Sequence, residues 1–278
     1  MQVFKTQQGI IIHYDGSFYL SAASNWDDFI NRDNLYDQLI EEIETLQPQE
    51  NLPSVVQSNS QPPIQSQEIW AAGVTYLRSM KARMEESKVS GGDTFYDKVY
   101  DAERPEIFFK ATASRTVGHQ AHVRIRQDST WDVPEPELTL FITSSGNIVG
   151  YTIGNDMSSR SIEGENPLYL PQAKMYDGCA ALGPCIYVPQ NPISPDTFIS
   201  INIKRNDVMM FTDSILISQM KRSHTELVSY LFREMSFEHG VFLMTGTGIV
   251  PPNSFTLQSG DSISISIDNI GTLTNTVA

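Results

Sequence analysis

A mainly β, α+β protein is predicted: a β-rich roll or sandwich domain with a small N-terminal α+β domain in front of it. Three observations predict this. Runs with period-2 alternation recur along the whole 278-residue chain. Helical stripes are few, so strands and helices do not alternate as a doubly wound sheet requires. A polar, Pro-containing stretch near residue 50 separates the first strands from the rest. Residues 1–65 are therefore read as the small domain and its linker, and residues 66–278 as the main domain.

In the small domain, Val3, Ile10 to Tyr14 and Phe18 to Leu20 alternate as strands do, with turns at Gly9 and Asp15-Gly16. Leu35, Leu39, Ile43 and Leu46 follow at i, i+4, i+8 and i+11, which lays one apolar helix face against that sheet. Residues 48–67 are rich in Gln, Ser, Asn and Pro and have no period, so they read as a connector rather than an element.

The main domain opens with a strand over 68–74, turns through Thr75 to Ser79, and enters a helix running to about residue 88. Residues 87–104 are polar, carry Gly91-Gly92 and lack a core pattern. That composition suits a cover over a site as well as a plain surface loop. Residues 107–110 form a short strand ending in a lysine. His119-x-x-His122 has no third ligand nearby, so hairpin histidines are expected there. Residues 179–188 are a buried strand broken at Gly183-Pro184, and further β runs cover 198–205, 208–218 and 262–270. Between them Ser223, with Glu226 three residues on, is a capping box; Leu227, Leu231 and Met235 form the buried stripe, and Gly240 closes the helix. A last strand, 242–244, delivers Thr245-Gly246-Thr247-Gly248, which lacks the Lys-Ser/Thr of a phosphate loop.

Chemistry concentrates in residues 133–174, VPEPELTLFITSSGNIVGYTIGNDMSSRSIEGENPLYLPQAK. Glu135 and Glu137 are two apart, so in an extended chain both carboxylates leave one face. Leu138 to Thr143 reads as a strand, Gly146-Asn147 as a turn, and Ile148 to Ile153 as a returning strand that delivers Asn155-Asp156. A hairpin of these two strands brings Asp156 beside the Glu pair. Three hard oxygen ligands with positions open for water and substrate suit Mg²⁺ or Mn²⁺ rather than Zn²⁺. A solvent-facing Glu-x-Glu on an edge strand with a turn aspartate is the plain alternative.

Composition narrows the function classes. A formal net charge of −14 argues against nucleic acid and anionic membrane as partners. Two cysteines six residues apart, Cys179 and Cys185, make neither a disulfide framework nor a zinc site, and buried reduced thiols are expected. No run approaches 18 apolar residues, and the first residues lack a charged segment followed by an apolar one. A cytoplasmic protein is the expectation.

Eight features then occur in one order: Gly73-x-Thr75-Tyr76, Glu135-x-Glu137, Asn155-Asp156 with Ser159-Arg160, Lys174, Leu182-Gly183-Pro184, Thr245-Gly246-Thr247, Gly260-Asp261, and the closing Ile270-Gly271-Thr272-Leu273-x-Asn275-x-Val277. This series resembles the fumarylacetoacetate hydrolase superfamily over residues 69–278. The resemblance implies a β-roll domain, a divalent metal on Glu135, Glu137 and Asp156, a small 2-oxo acid or 1,3-diketone acid as ligand, and a homodimer or homotetramer. The short gap between Glu137 and Asp156, the run from Ile162 to Lys174 and the separate N-terminal domain resemble the 2-keto-3-deoxy-pentonate dehydratase branch, of the 2-dehydro-3-deoxy-D-arabinonate type. Hydrolases of the superfamily usually continue Gly-x-Asn-Tyr with x-x-His-x-x-Glu, a pair that activates water. Here the asparagine is Thr75, the histidine position is Ser79 and the glutamate position is Ala82, which disfavours C–C hydrolysis. Arg160 is commonly followed by Asp, and here by Ser161.

In such a site the metal would hold adjacent carboxylate and ketone oxygens, polarise the ketone and acidify the C3 proton. Lys174 is the first candidate for the proton work, since the superfamily places a lysine over the metal-bound oxygen. Glu106 enters a strand where it could assist the leaving C4 hydroxyl; a strand-end surface carboxylate is its alternative. Arg78, Ser79 and Thr247 are candidate substrate donors. The competing readings are an acylpyruvate-type hydrolase or 2-oxo acid decarboxylase, and, from another class, a non-catalytic metal and 2-oxo acid binding protein.

Overall fold

The computed structural model of the chain describes residues 1–86 and 99–278. The cover suggested for 87–104 therefore falls largely outside the described residues.

Three strands, β1 (Gln2–Thr6), β2 (Gly9–Tyr14) and β3 (Ser17–Leu20), open the chain as an antiparallel meander, followed by helices α1 (Trp26–Ile30), α2 (Leu35–Thr45) and α3 (Leu52–Asn59). Next come β4 (Glu68–Gly73), α4 (Leu77–Glu86), β5 (Glu106–Thr112) and the short β6 (Thr116–Val117) and β7 (His122–Val123). The long hairpin of β8 (Asp132–Ile142) and β9 (Ile148–Ser159) leads into α5 (Arg160–Glu165) and α6 (Leu170–Lys174). The rest is β10 (Ala180–Tyr187), β11 (Phe198–Arg205), β12 (Val208–Leu216), α7 (His224–Leu231), β13 (Val241–Met244), β14 (Ser262–Ile267) and β15 (Gly271–Val277).

Two sheets result. The larger runs β3-β2-β1-β10-β9-β8-β13-β4-β5, with β6 beside β10; the smaller runs β12-β11-β14-β15-β7. The β8–β9 hairpin lies at the centre of the larger sheet and sends alternate residues to its two faces. Leu138, Leu140, Ile142 and Ile153 pack with Ile199, Ile201, Ile203, Ile263 and Ile265 of the smaller sheet. The opposite face carries Glu135, Glu137 and, further along, Phe141, whose ring lies 5.1 Å from that of Phe242. Both faces of β8 are buried along its whole length, so a carboxylate placed on it is held out of bulk water.

Two expectations are corrected here. Residues 48–67 are not featureless: α3 occupies 52–59, with Pro53 in its first turn and Leu52 and Val55 buried. Its apolar face is two residues wide, too little to stand out as a period among Ser, Gln and Asn. The helix expected to run from Ser223 to Gly240 stops at Leu231, capped at Phe232. Ring contact between Phe232 and Phe237 (centroids 5.1 Å apart) folds the chain back there, and Met235 stays 36% exposed instead of completing a buried stripe. Ser223 caps as its type requires, its Oγ accepting from the Glu226 N–H (3.1 Å), but the Glu226 carboxylate turns to Arg222. The run expected over 262–270 is strand to Ile267 as β14, and β15 follows beyond it at Gly271–Val277.

Candidate active site

Glu135 stands opposite Asp156 in the β8–β9 register, with Glu137 two residues on. All three side chains are buried, and one ligand oxygen from each lies within 4.8 Å of the others. Three carboxylates this close repel one another. Burial first, then the charges of Asp156 and Glu135, push the Glu137 carboxyl well above the usual carboxylate range. A hard divalent cation relieves both effects, and an all-oxygen donor set of this kind fits Mg²⁺ or Mn²⁺.

Cations and a backbone amide surround the cluster. The Lys174 ammonium, fully buried at the end of α6, lies 2.5 Å from Glu135 Oε2, 2.9 Å from Asp156 Oδ2, 2.5 Å from Ser158 Oγ and 3.3 Å from Glu163 Oε1. Arg160, the first residue of α5, reaches Glu135 Oε1 (2.6 Å) and Glu163 Oε2 (3.2 Å). Lys110, fully buried on β5, pairs with Asp156 Oδ1 at 2.5 Å. The Gly246 N–H donates to Glu137 Oε2 at 2.6 Å. Gly246 has φ +92°, and a Cβ there would stand 2.1 Å from Thr75 Oγ1, so both conformation and space demand glycine.

A narrow cleft lined by Gly73, Val74, Ser79, Phe108, Gly246 and Thr247 opens onto the three carboxylates and Lys174. Ser79 Oγ donates to the Tyr76 carbonyl (2.8 Å), and Thr247 Oγ1 accepts from the Ile249 N–H (3.1 Å). Glu106 lies opposite Gly73 in the β4–β5 pair, and a Cβ on Gly73 would come within 2.0 Å of its carboxylate. Arg78 does not line the cleft: its guanidinium pairs with Asp213 and donates to the Val250 carbonyl (3.0 Å). Ser161 lies outside the carboxylate cluster too, bonding Ser129 (2.9 Å) and the Thr130 N–H (3.2 Å). His119 accepts from the Thr274 N–H (3.0 Å) in the smaller sheet. A larger groove lies elsewhere, between the turn at 33–37, the hairpin tip at 145–149 and α7.

The arrangement contains four residues to which the sequence reading gave no role: Lys110, Ser158, Arg160 and Glu163. Lys110 carried a signal, a lone charge in the otherwise apolar run Ile107 to Ala111. Glu163 carried another, three residues after Arg160 on a short helix.

Comparison with known proteins then decides the family. The family model for the fumarylacetoacetate (FAA) hydrolase C-terminal region matches residues 68–278. The chain belongs to the fumarylacetoacetate hydrolase family. Within that family it is 51% identical over 216 residues to a probable 2-keto-3-deoxyxylonate dehydratase of Haloferax volcanii, covering 77% of this chain and 73% of that one. It is 45% identical over 215 residues to the 2-dehydro-3-deoxy-D-arabinonate dehydratase of Saccharolobus solfataricus, covering 76% and 72%. A solved structure of 2-keto-3-deoxy-D-arabinonate dehydratase, complexed with magnesium and 2,5-dioxopentanoate, superposes with a TM-score of 0.84 at 35% identity over 100% of this chain and 98% of that one. The likeness to that solved structure therefore extends over the N-terminal residues as well as the matched region.

Proposed function

We propose that this protein is a hydro-lyase that dehydrates a 2-keto-3-deoxy pentonate to 2,5-dioxopentanoate, with Mg²⁺ or Mn²⁺ held by Glu135, Glu137 and Asp156. The observation that carries the reading is the buried carboxylate triad with Lys174 against it, in a chain similar along its length to a dehydratase whose solved structure holds magnesium and that product. When bound, the cation supplies Lewis-acid polarisation of the substrate's 2-keto group, which acidifies C3–H.

The chain's own groups do the rest. Lys174 Nζ, beside Glu135 and Asp156, is placed to take or hold the C3 proton. Glu106, across Gly73 from the cleft, is placed to protonate the departing C4 hydroxyl. Loss of water leaves a 3-ene bearing a C5 hydroxyl; proton loss from C5 and return of a proton to C3 give the C4–C5 enol, and transfer of the enol O–H proton to C4 gives the aldehyde, with no redox partner required. Ser79 and Thr247 line the cleft as substrate hydrogen-bond donors. Arg78 lies outside the cleft on Asp213, and a substrate role for it requires its guanidinium to leave that partner. Hydrolysis is the poorer reading because Ser79 and Ala82 occupy the positions of the water-activating pair. A silent binding protein is poorer still, because the ligands and the lysine are all retained. Incubating the protein and Mg²⁺ with 2-keto-3-deoxy pentonates, and separately with an acylpyruvate, tests the reading. Acylpyruvate cleavage with no dehydration of any sugar acid would reject it.

We also propose a cytoplasmic homodimer or homotetramer. Both cysteines are buried and unpaired, as in a reducing compartment. Among the described residues no helix is long and apolar enough to cross a membrane. Support for assembly comes from β12, an edge strand whose Val208, Met209 and Met210 are 63%, 46% and 43% exposed. Such an edge invites pairing with a second copy.

A further inference from the structure

Each carboxylate of the triad has one oxygen engaged by the scaffold, two by hydrogen bonds and that of Asp156 by an ion pair. Glu135 Oε1 is held by Arg160, Glu137 Oε2 by the Gly246 N–H, and Asp156 Oδ1 by Lys110. One oxygen per residue is left for a cation, and two of these, Glu135 Oε2 and Asp156 Oδ2, are the ones that the long Lys174 side chain touches.

Lys110 is the least expected of these donors. A lysine with 0% exposure is costly unless its ammonium is paired and hydrogen-bonded. Here it also donates to the carbonyls of Met157 (2.9 Å) and Lys174 (2.5 Å). These three contacts occupy the ammonium within the protein, and Lys110 does not line the cleft. The β4–β5 register explains how a charge enters so apolar a strand. Ile69 pairs with Ala111 and Trp70 with Phe109, so Lys110 is the extra residue of a β-bulge, the device that re-aims a single side chain. One ammonium thereby ties together a metal ligand, the strand just beyond it and the end of the helix that carries Lys174.

We propose that Lys110 is a positioning residue that fixes Asp156 as a one-oxygen ligand, and that this fixing, with Arg160 and the Gly246 N–H, makes the site select a small octahedral cation over Ca²⁺. Mg²⁺ takes six ligands at short, regular distances and keeps its waters, whereas Ca²⁺ takes six to eight and favours bidentate carboxylates. With one oxygen of each carboxylate engaged by the scaffold, bidentate coordination is disfavoured. The proposal rests on the metal-binding reading given above.

Calorimetric titration with MgCl₂ and with CaCl₂, without substrate, tests it. Wild type should bind Mg²⁺ at least as tightly as Ca²⁺. Lys110→Met should lose about 10- to 100-fold in Mg²⁺ affinity, as loss of an outer partner does, with the preference moving at least tenfold toward Ca²⁺. Lys110→Gln, which keeps a neutral donor for one carbonyl, should move the ratio the same way. Tighter Ca²⁺ than Mg²⁺ binding by wild type overturns the proposal without any variant. Equal losses for both ions, or an unchanged ratio in a folded variant, overturn it as well. Failure of wild type to bind either ion would instead reject the metal-binding reading.

Discussion

Glu137 concentrates the electrostatic problem of the site: a buried carboxylate beside two others, with a single backbone amide fixed on it. Replacing it with glutamine removes a charged ligand but keeps the shape. Glu137→Gln should abolish most Mg²⁺ affinity while the fold survives, and calorimetry alongside a melting curve will separate the two. Lys174 answers a different question. Lys174→Met should lower kcat by about 10²- to 10⁴-fold, the usual cost of a lost proton-transfer group, while Mg²⁺ binding persists. Exchange of the C3 proton into D₂O, followed by NMR, reports that step alone; wild-type exchange rates in the variant would remove Lys174 from the chemistry. The Glu-x-Glu and Asn-Asp were legible from residue type and period. Lys110 stood out as a lone charge, but its direction was not legible, because a bulge is a property of the pairing between two strands, and one strand's sequence does not contain it.

At the scale of elements, the strands were the legible part, since β4, β8, β9, β10 and β11 each bury a regular alternation or a continuous run. Helices were legible where a wide stripe exists, as in α2, and were misjudged where few residues carry the face, as in α3, or where an aromatic contact ends the helix early, as in α7. The start of α7 makes a prediction of its own. His224 is its first residue, and burial lowers its pKa to about 4; the positive end of the helix acts in the same direction. The folded state therefore keeps the ring neutral while the unfolded chain protonates near pH 6.5. Stability from this residue is full above pH 6.5 and is lost as pH falls toward 4. The loss should be about 1–2 kcal/mol after allowance for partial exposure. Melting temperatures measured from pH 8 to 4 should fall less steeply for His224→Gln than for wild type. Parallel profiles would show that the ring titrates normally in the fold.

For the whole molecule, we propose that the division near residue 65 is one of labour and not of folding. Residues 66–278 carry every group of the carboxylate site, yet β1 pairs with β10 through Gln2–Tyr187 and Val3–Ile186, so the N-terminal meander extends the catalytic sheet. Val3, Ile10, Ile12, Trp26, Phe29 and Leu35 share one buried cluster with Ile69, Leu182, Ile186, Val188 and Phe242. The same β10 holds Asp156 from its other side, Ala180 standing opposite it in register. Deleting residues 1–65 would uncover several side chains that each contribute about 1.5–3 kcal/mol when buried, against a total stability of only about 5–15 kcal/mol for a domain. It would also free the edge of a strand that adjoins Asp156, a proposed metal ligand. The fragment 66–278 should therefore be expressed as aggregate or, if soluble, should unfold without a cooperative transition and bind no Mg²⁺. Circular dichroism melting and calorimetry on that fragment provide the check. A fragment that melted cooperatively at the full-length temperature and kept full Mg²⁺ affinity would show that the small domain is a separable attachment.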